Sequence, residues 1–79
     1  MACPMTHDLL ANVIEALGAE IDRIVINDLR DHTFFAQIHL RHNGDIVTVD
    51  SRPSDAIAVG VANEAPIFVA DHVLDETLD

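Results

Sequence analysis

The first hydrophobic pattern along the chain has the period of an α-helix. Five apolar residues recur at helical spacing and form one stripe: Leu9, Leu10, Val13, Ile14 and Leu17. Thr6 can cap the helix N-terminus, Asp8 suits its first turn, and Gly18 stands where a left-handed residue would end it. The pattern predicts a helix over residues 7–17.

The middle of the chain alternates as β-strands do. Residues 21–29, 33–41 and 46–50 read as three strands, and the apolar residues 24–26 suggest that the first is buried on both faces. Asn43-Gly44 favours a two-residue type I′ turn between the second and third strands. The pattern therefore predicts an antiparallel meander.

A second apolar helix follows from about Pro53 to Asn63, and Gly60 inside it indicates close packing against another element. Residues 67–69 read as a short strand that lies parallel to its neighbour, because a helix connects it to the meander. Asp71 would cap a last helix that runs to Leu78, with Leu74 and Leu78 on one face. The order α-β-β-β-α-β-α predicts an α+β fold, a small mixed, mainly antiparallel sheet packed with helices. Residues 1–79 would form a single domain.

Composition changes this picture by pointing to self-association. The chain has 79 residues, of which 49% are hydrophobic, but it has no Trp, no Tyr and only three Phe. Its core must then be aliphatic, and a core of this size supplies only about 3–5 kcal/mol. We expect a homo-oligomer, most simply a dimer, that covers the remaining apolar surface.

Charge restricts the partners. The net charge is −10, with 14 acidic residues against four Arg and no Lys. Generic nucleic-acid affinity comes from Lys and Arg, so only a local or metal-bridged contact with RNA or DNA is compatible with this surface. Cys3 is the single cysteine, which excludes a disulfide framework. No signal peptide is visible and no apolar run reaches the roughly 20 residues of a membrane span, so we expect a cytoplasmic protein without membrane contacts.

Polar residues that could carry chemistry concentrate where the third strand meets the second helix. Together with the start of the first helix they give one candidate catalytic set: His7, Asp8, Asp50, Arg52, Ser54 and Asp55. Asp50 and Asp55 could bind Mg²⁺ or Mn²⁺ through oxygen, and Arg52 offers a planar fork to a phosphate. An imidazole can take up or release a proton, so His7 could transfer protons. Such a set would suit metal-assisted phosphodiester hydrolysis.

The same residues also fit a purely structural role. Asp8, Ser54 and Asp55 are residue types that helix N-termini favour in any protein. Arg52 could pair with a carboxylate at a subunit interface. No spacing here is diagnostic of a metal or nucleophile site, so a non-catalytic acidic binding or oligomerisation module remains the alternative.

Five segments in order resemble the bifunctional nuclease domain family: Pro4–Leu10, Val25–Leu29, Thr33–Ala36, Asp50–Ala58 and Ala65–Val69. The resemblance implies an enzyme that cleaves both RNA and DNA. It carries the family's two polar blocks onto residues 6–8 and 52–55 of this chain. The family domain looks about twice as long, so residues 1–79 resemble its second, C-terminal half.

Overall fold

The computed structural model describes the backbone of residues 5–31 and 33–78, and the side chains of that part except residues 28–30 and 75–78. It contains seven elements in the predicted order: α1 Thr6–Ala16, β1 Ala19–Arg30, β2 Thr33–His42, β3 Asp45–Ser51, α2 Pro53–Ala62, β4 Ile67–Val69 and α3 Asp71–Leu78. The α+β fold class is therefore confirmed.

The four strands form one mixed sheet in the order β3-β2-β1-β4. β2 is antiparallel to both β1 and β3, whereas β4 is parallel to β1, as the connection through α2 predicted. Asn43 and Gly44 both have positive φ, 53° and 84°, and connect the directly paired residues His42 and Asp45. These angles are those of a type I′ turn, so the hairpin prediction is confirmed.

β1 is longer than predicted and carries two β-bulges. The pairing register with β2 shifts between Ile21 and Arg23 and again between Ile26 and Asp28, which leaves Asp22 and Asn27 outside the regular ladder. Ile24 and Ile26 are buried on one face, but Val25 on the other face is only half-buried. The prediction that this strand is buried on both faces was therefore wrong.

The core lies on one side of the sheet and is aliphatic. Its buried residues come from the sheet and from all three helices: Ile14, Ile24, Ile26, Ala36, Ile38, Ala56, Val59 and Val73. We call the opposite side of the sheet the open face. It presents residues that alternate with the buried ones, including Val25, Gln37, Thr48 and Phe68.

Gly60 brings α2 against the centre of the sheet, as its place in the helix predicted. A Cβ atom at this position would lie 2.7 Å from Cγ1 of Ile24, a side chain with no solvent exposure. Only a glycine permits this approach without displacement.

The structure corrects three of the sequence-based assignments for the helices. Met5, not Thr6, is the N-cap of α1, and its backbone N–H donates to Oδ2 of Asp8 at 3.2 Å. Asp71 is the first residue of α3 and not its cap. Leu74 is 46% exposed while Val73 is buried, so the predicted apolar face of α3 was wrong; Leu78 lies outside the described side chains.

At two other helix ends, the structure has the residues that the sequence pattern predicted there. Gly18 has φ 80° and follows the C-cap Leu17 of α1, and Pro53 is the first residue of α2. In the part of the chain that the structure describes, no helix is long and apolar enough to cross a membrane.

Candidate functional site

An open cleft of about 680 Å³ lies where the first turns of α1 and α2 face the end of β3. Its floor is apolar and includes Leu10, Ile38 and Val59. Six residues line its polar side: Thr6, His7, Asp50, Ser51, Arg52 and Asp55. Four of the six candidate catalytic residues therefore border one cavity.

Local geometry explains why these residues meet. β3 ends at Ser51, and Arg52 keeps an extended backbone (φ −69°, ψ 144°) before Pro53 begins α2. The chain thus turns from strand to helix within one residue, which keeps the Arg52 and Asp55 side chains beside the strand end. α1 contacts α2, so the N-terminal turn that carries His7 also borders the cleft. The N-termini of two helices near one cavity favour an anion.

Arg52 and Asp55 form an ion pair on the rim of the cleft. The Asp55 Oδ2 atom accepts from Arg52 Nε at 3.1 Å and lies 3.0 Å from Nη2. The two side chains are 79% and 61% exposed, so water screens their attraction strongly. The arrangement keeps a guanidinium and a carboxylate together, yet accessible to a ligand.

His7 is the one titratable group of α1 that lines the cleft. Its Nε2 lies 3.7 Å from Asp8 Oδ1, and its side chain is 28% exposed. Asp8 itself does not line the cleft, because its other oxygen caps α1 through Met5. Ser54 is exposed and also lies outside the lining. The structure therefore separates Asp8 and Ser54 from the other four candidates.

Asp50 borders the cleft, but its carboxylate is held towards the open face. It is paired directly with Gln37, whose Nε2 donates to Asp50 Oδ1 at 3.4 Å. The Gln37 Oε1 atom in turn lies 3.3 Å from His39 Nε2, so three side chains form a hydrogen-bonded row. Since Val49 and Asp50 point to opposite sides of β3, Asp50 and Ser51 stand between the cleft and the open face.

The sequence-based candidate set does not include Gln37 and His39, although the sequence contains the signal that would have found them. A two-residue hairpin turn fixes the register of β2 and β3, and counting back from Asn43-Gly44 places Gln37 opposite Asp50. The alternation of β2 alone identifies Gln37 only as an outward strand residue.

The donor chemistry of the cleft fits a hard divalent cation with few protein ligands. Mg²⁺ is commonly held by one or two carboxylates together with water and substrate phosphate. Asp55 and Asp50 both border the cavity, but the Asp50 carboxylate is turned towards Gln37 on the open face. Among the described residues, no group of three or more His, Cys, Asp or Glu could hold a metal ion. A cation here would depend on water and substrate for most of its ligands.

Comparison with known proteins decides the family. A family model of the bifunctional nuclease domain matches residues 1–78. The chain belongs to the bifunctional nuclease domain family. The resemblance seen in the five sequence segments is therefore confirmed.

Curated relatives of this bifunctional nuclease domain are longer than the chain. An uncharacterized protein of Mycobacterium tuberculosis is 38% identical over 71 residues, which are 90% of this chain and 42% of that protein. Bifunctional nuclease 2 of Oryza sativa is 32% identical to this chain, and Bifunctional nuclease 2 of Arabidopsis thaliana is 29% identical. Each match extends over 72 residues, which are 87% of this chain and 22% of the plant protein. The chain thus spans less than half the length of these relatives.

Proposed function

We propose that this bifunctional nuclease domain hydrolyses phosphodiester bonds of RNA or DNA in the cleft between α1, α2 and the end of β3. The observation that carries the proposal is the meeting of an imidazole, a guanidinium and a carboxylate around one open cavity, those of His7, Arg52 and Asp55. Two plant relatives that are named bifunctional nucleases support the same chemistry.

Substrate binding would rely on a local positive site in a chain of net charge −10. Arg52 presents two N–H groups that now bind Asp55, and a phosphate could accept from the same fork. The N–H groups at the starts of α1 and α2 would add partial positive charge. Arg52 would thus orient the scissile phosphate against the helix starts, and the acidic remainder of the surface would oppose longer-range binding.

His7 would transfer the proton. Its imidazole borders the cleft and is half-buried, and its Nε2 lies 3.7 Å from the Asp8 carboxylate. In that role it would take a proton from the attacking water or give one to the leaving oxygen. Asp8 acts through His7 and through the α1 cap, so it is a positioning residue in this proposal, and Ser54 has no assigned step.

Asp55 and Asp50 would hold Mg²⁺ or Mn²⁺. When bound, such a cation supplies Lewis-acid stabilisation of the charge that develops on the phosphoryl oxygens. Asp55 would have to release Arg52 in part, and Asp50 would have to share its carboxylate with Gln37. Both hydrogen bonds are exposed, so their exchange for cation contacts costs little free energy.

The test is cleavage of end-labelled single-stranded RNA and DNA oligonucleotides with Mg²⁺, with Mn²⁺ and with EDTA. We expect cleavage that requires the cation and that falls by about 100-fold or more in His7→Ala, the usual loss for a general acid or base. His42→Ala, a histidine outside the cleft, is the matched control and should cleave normally. Wild-type protein that never cleaves, or cleavage unaffected by EDTA, would contradict the proposal.

The exposed apolar surface favours a second candidate function, that of a self-associating module. Among the described residues, many large apolar side chains remain more than one-third exposed, including Leu17 at 70%, Val61 at 66% and Leu9 at 53%. In this case Arg52 and Asp55 would serve an interface between copies. Sedimentation velocity that gives a monomer at all concentrations would exclude it.

A further inference from the structure

A second hollow lies on the open face, behind the cleft. It has a volume of about 370 Å³ and is lined by Asn27, Phe35, Ala36, Gln37, Asp50 and Ser51. Asp50 and Ser51 border both this hollow and the cleft. Because β3 is an edge strand of the described sheet, a bound chain could continue from one hollow to the other around the end of β3.

Two of the polar groups that line this hollow are hydrogen-bond acceptors. Asn27 lies at the second bulge of β1, and its Oδ1 atom is shielded from solvent with no hydrogen-bond partner among the described residues. The Asp50 carboxylate is the second acceptor. Two acceptors repel a phosphate and favour a ligand that donates N–H groups. A shielded acceptor without a donor is costly, so a donor that reached it would relieve that cost.

The hollow also offers an aromatic surface. Phe35 is 40% exposed, although an aromatic residue of this size is ordinarily covered. Flat rings stack on such side chains, and single-stranded nucleic acids use this contact with bases. The hollow therefore combines a ring with neighbouring acceptors, the two features that fit the edge and face of one base.

We propose that the hollow binds an unpaired nucleobase that carries an exocyclic amino group, while a phosphate of the same strand lies in the cleft. The amino group would donate to Asn27 and Asp50, and the base would stack on Phe35. In a duplex this amino group is paired and the ring is stacked, so the site selects single strands. The placement of the phosphate rests on the proposed function, whereas binding of the base does not.

A nucleoside tests the base site alone, because it has no phosphate. Adenosine and uridine are titrated at millimolar concentration into ¹⁵N-labelled protein, and the backbone and side-chain amide resonances are followed by NMR. We expect adenosine to shift the amides of Asn27, Phe35 and Gln37. Uridine should bind about tenfold more weakly, because it has no exocyclic amino group to donate to Asn27 and Asp50.

Asn27→Leu removes the acceptor and is expected to lower adenosine affinity about tenfold. The same change should leave the melting temperature equal or higher, since it replaces an unpaired polar group by an apolar one. Thr48→Ala, on the open face outside the hollow, is the matched control and should bind adenosine normally. Phe35→Leu provides a second variant and should weaken adenosine and uridine alike.

The inference is overturned if adenosine shifts no resonance of the hollow, if uridine binds as well as adenosine, or if Asn27→Leu binds adenosine as the wild type does. Loss of cleavage with intact adenosine binding would count against the proposed nuclease and leave the base site standing. Cleavage without adenosine binding would count against the base site and leave the proposed nuclease standing.

Discussion

Replacing Arg52 by alanine separates a catalytic role from a structural one. The substitution removes both contacts to Asp55 Oδ2, at 3.1 and 3.0 Å, between side chains that are 79% and 61% exposed. An exposed pair of this kind contributes about 0.5 kcal/mol to the free energy of unfolding. Arg52 is the N-cap of α2, but its side chain makes no capping hydrogen bond, so no cap is lost.

The expected fall in melting temperature is therefore small, about 2–4 °C for a domain of this size. The expected fall in catalysis is larger. A hydrogen bond to a charged group is worth about 1.5–3 kcal/mol, which corresponds to about 10–150-fold in kcat/KM if Arg52 binds the reacting phosphate. The proposed function thus predicts a small effect of Arg52→Ala on stability and a larger effect on cleavage.

Thermal unfolding by circular dichroism, sedimentation velocity and oligonucleotide cleavage on the same preparations give the three readouts. Arg41→Ala is the matched control, because it removes one exposed arginine that pairs with Asp22 away from the cleft. Cleavage equal to that of the wild type, together with a melting temperature lowered by much more than 4 °C or a shift to smaller species, would refute the catalytic reasoning and support the self-associating module.

Two further predictions concern the fold that supports the site. Gly60→Ala places a Cβ 2.7 Å from Ile24 and should destabilise the protein by up to about 2 kcal/mol in urea unfolding, because overpacking exceeds the gain in helix propensity. The control Val61→Ala changes a position that is 66% exposed and should cost much less. Equal effects of the two substitutions would contradict the close packing at Gly60. The Arg23 guanidinium, 2.7 Å away, with Arg41 at 2.8 Å, holds the pKa of Asp22 below its ordinary value of 3.8. The contribution of Asp22 to stability is complete when the pH is above the ordinary pKa, and it is lost as the pH falls through the pKa of the folded state. Asp22→Asn should therefore melt at a lower temperature than the wild type at pH 7, and this difference should shrink in acid. A difference that does not depend on pH would refute this explanation.

Local signals in the sequence were sufficient for most of the fold. Asn43-Gly44 determined the hairpin because only such residues tolerate two positive φ values, and Gly60 indicated a close contact because a helix interior otherwise disfavours it. The parallel placement of β4 followed from the helical connection. These features depend on residues close together in the chain.

The errors involved features that depend on distant parts of the chain. Val25 stands between the β-branched residues Ile24 and Ile26, so the sequence around it suggests burial. All three helices pack on the other side of the sheet, and this arrangement leaves the face that carries Val25 open. Val73 rather than Leu74 is buried because the direction of α3 against β1 decides its inner side. The bulges at Asp22 and Asn27 have no local signature, although they determine which polar groups reach the open face.

The candidate site shows the same division. Arg52 and Asp55 are three residues apart, and their proximity followed from a helix start. His7 is far from both in sequence, and its place on the same cleft depends on the contact between α1 and α2. The Asp50 carboxylate lies towards the open face because the hairpin register pairs it with Gln37, a contact that local spacing around Asp50 does not reveal.

The most direct measurement compares Asp55→Asn with Asp45→Asn in Mn²⁺-dependent cleavage of a single-stranded oligonucleotide. Each variant removes one carboxylate, but only Asp55 borders the cleft, whereas Asp45 begins β3 at the opposite end of that strand. We expect Asp55→Asn to lose at least about 100-fold in kcat/KM, a change of about 2.7 kcal/mol, and Asp45→Asn to retain wild-type activity. Equal activity of the two variants would contradict a phosphodiesterase centred on this cleft.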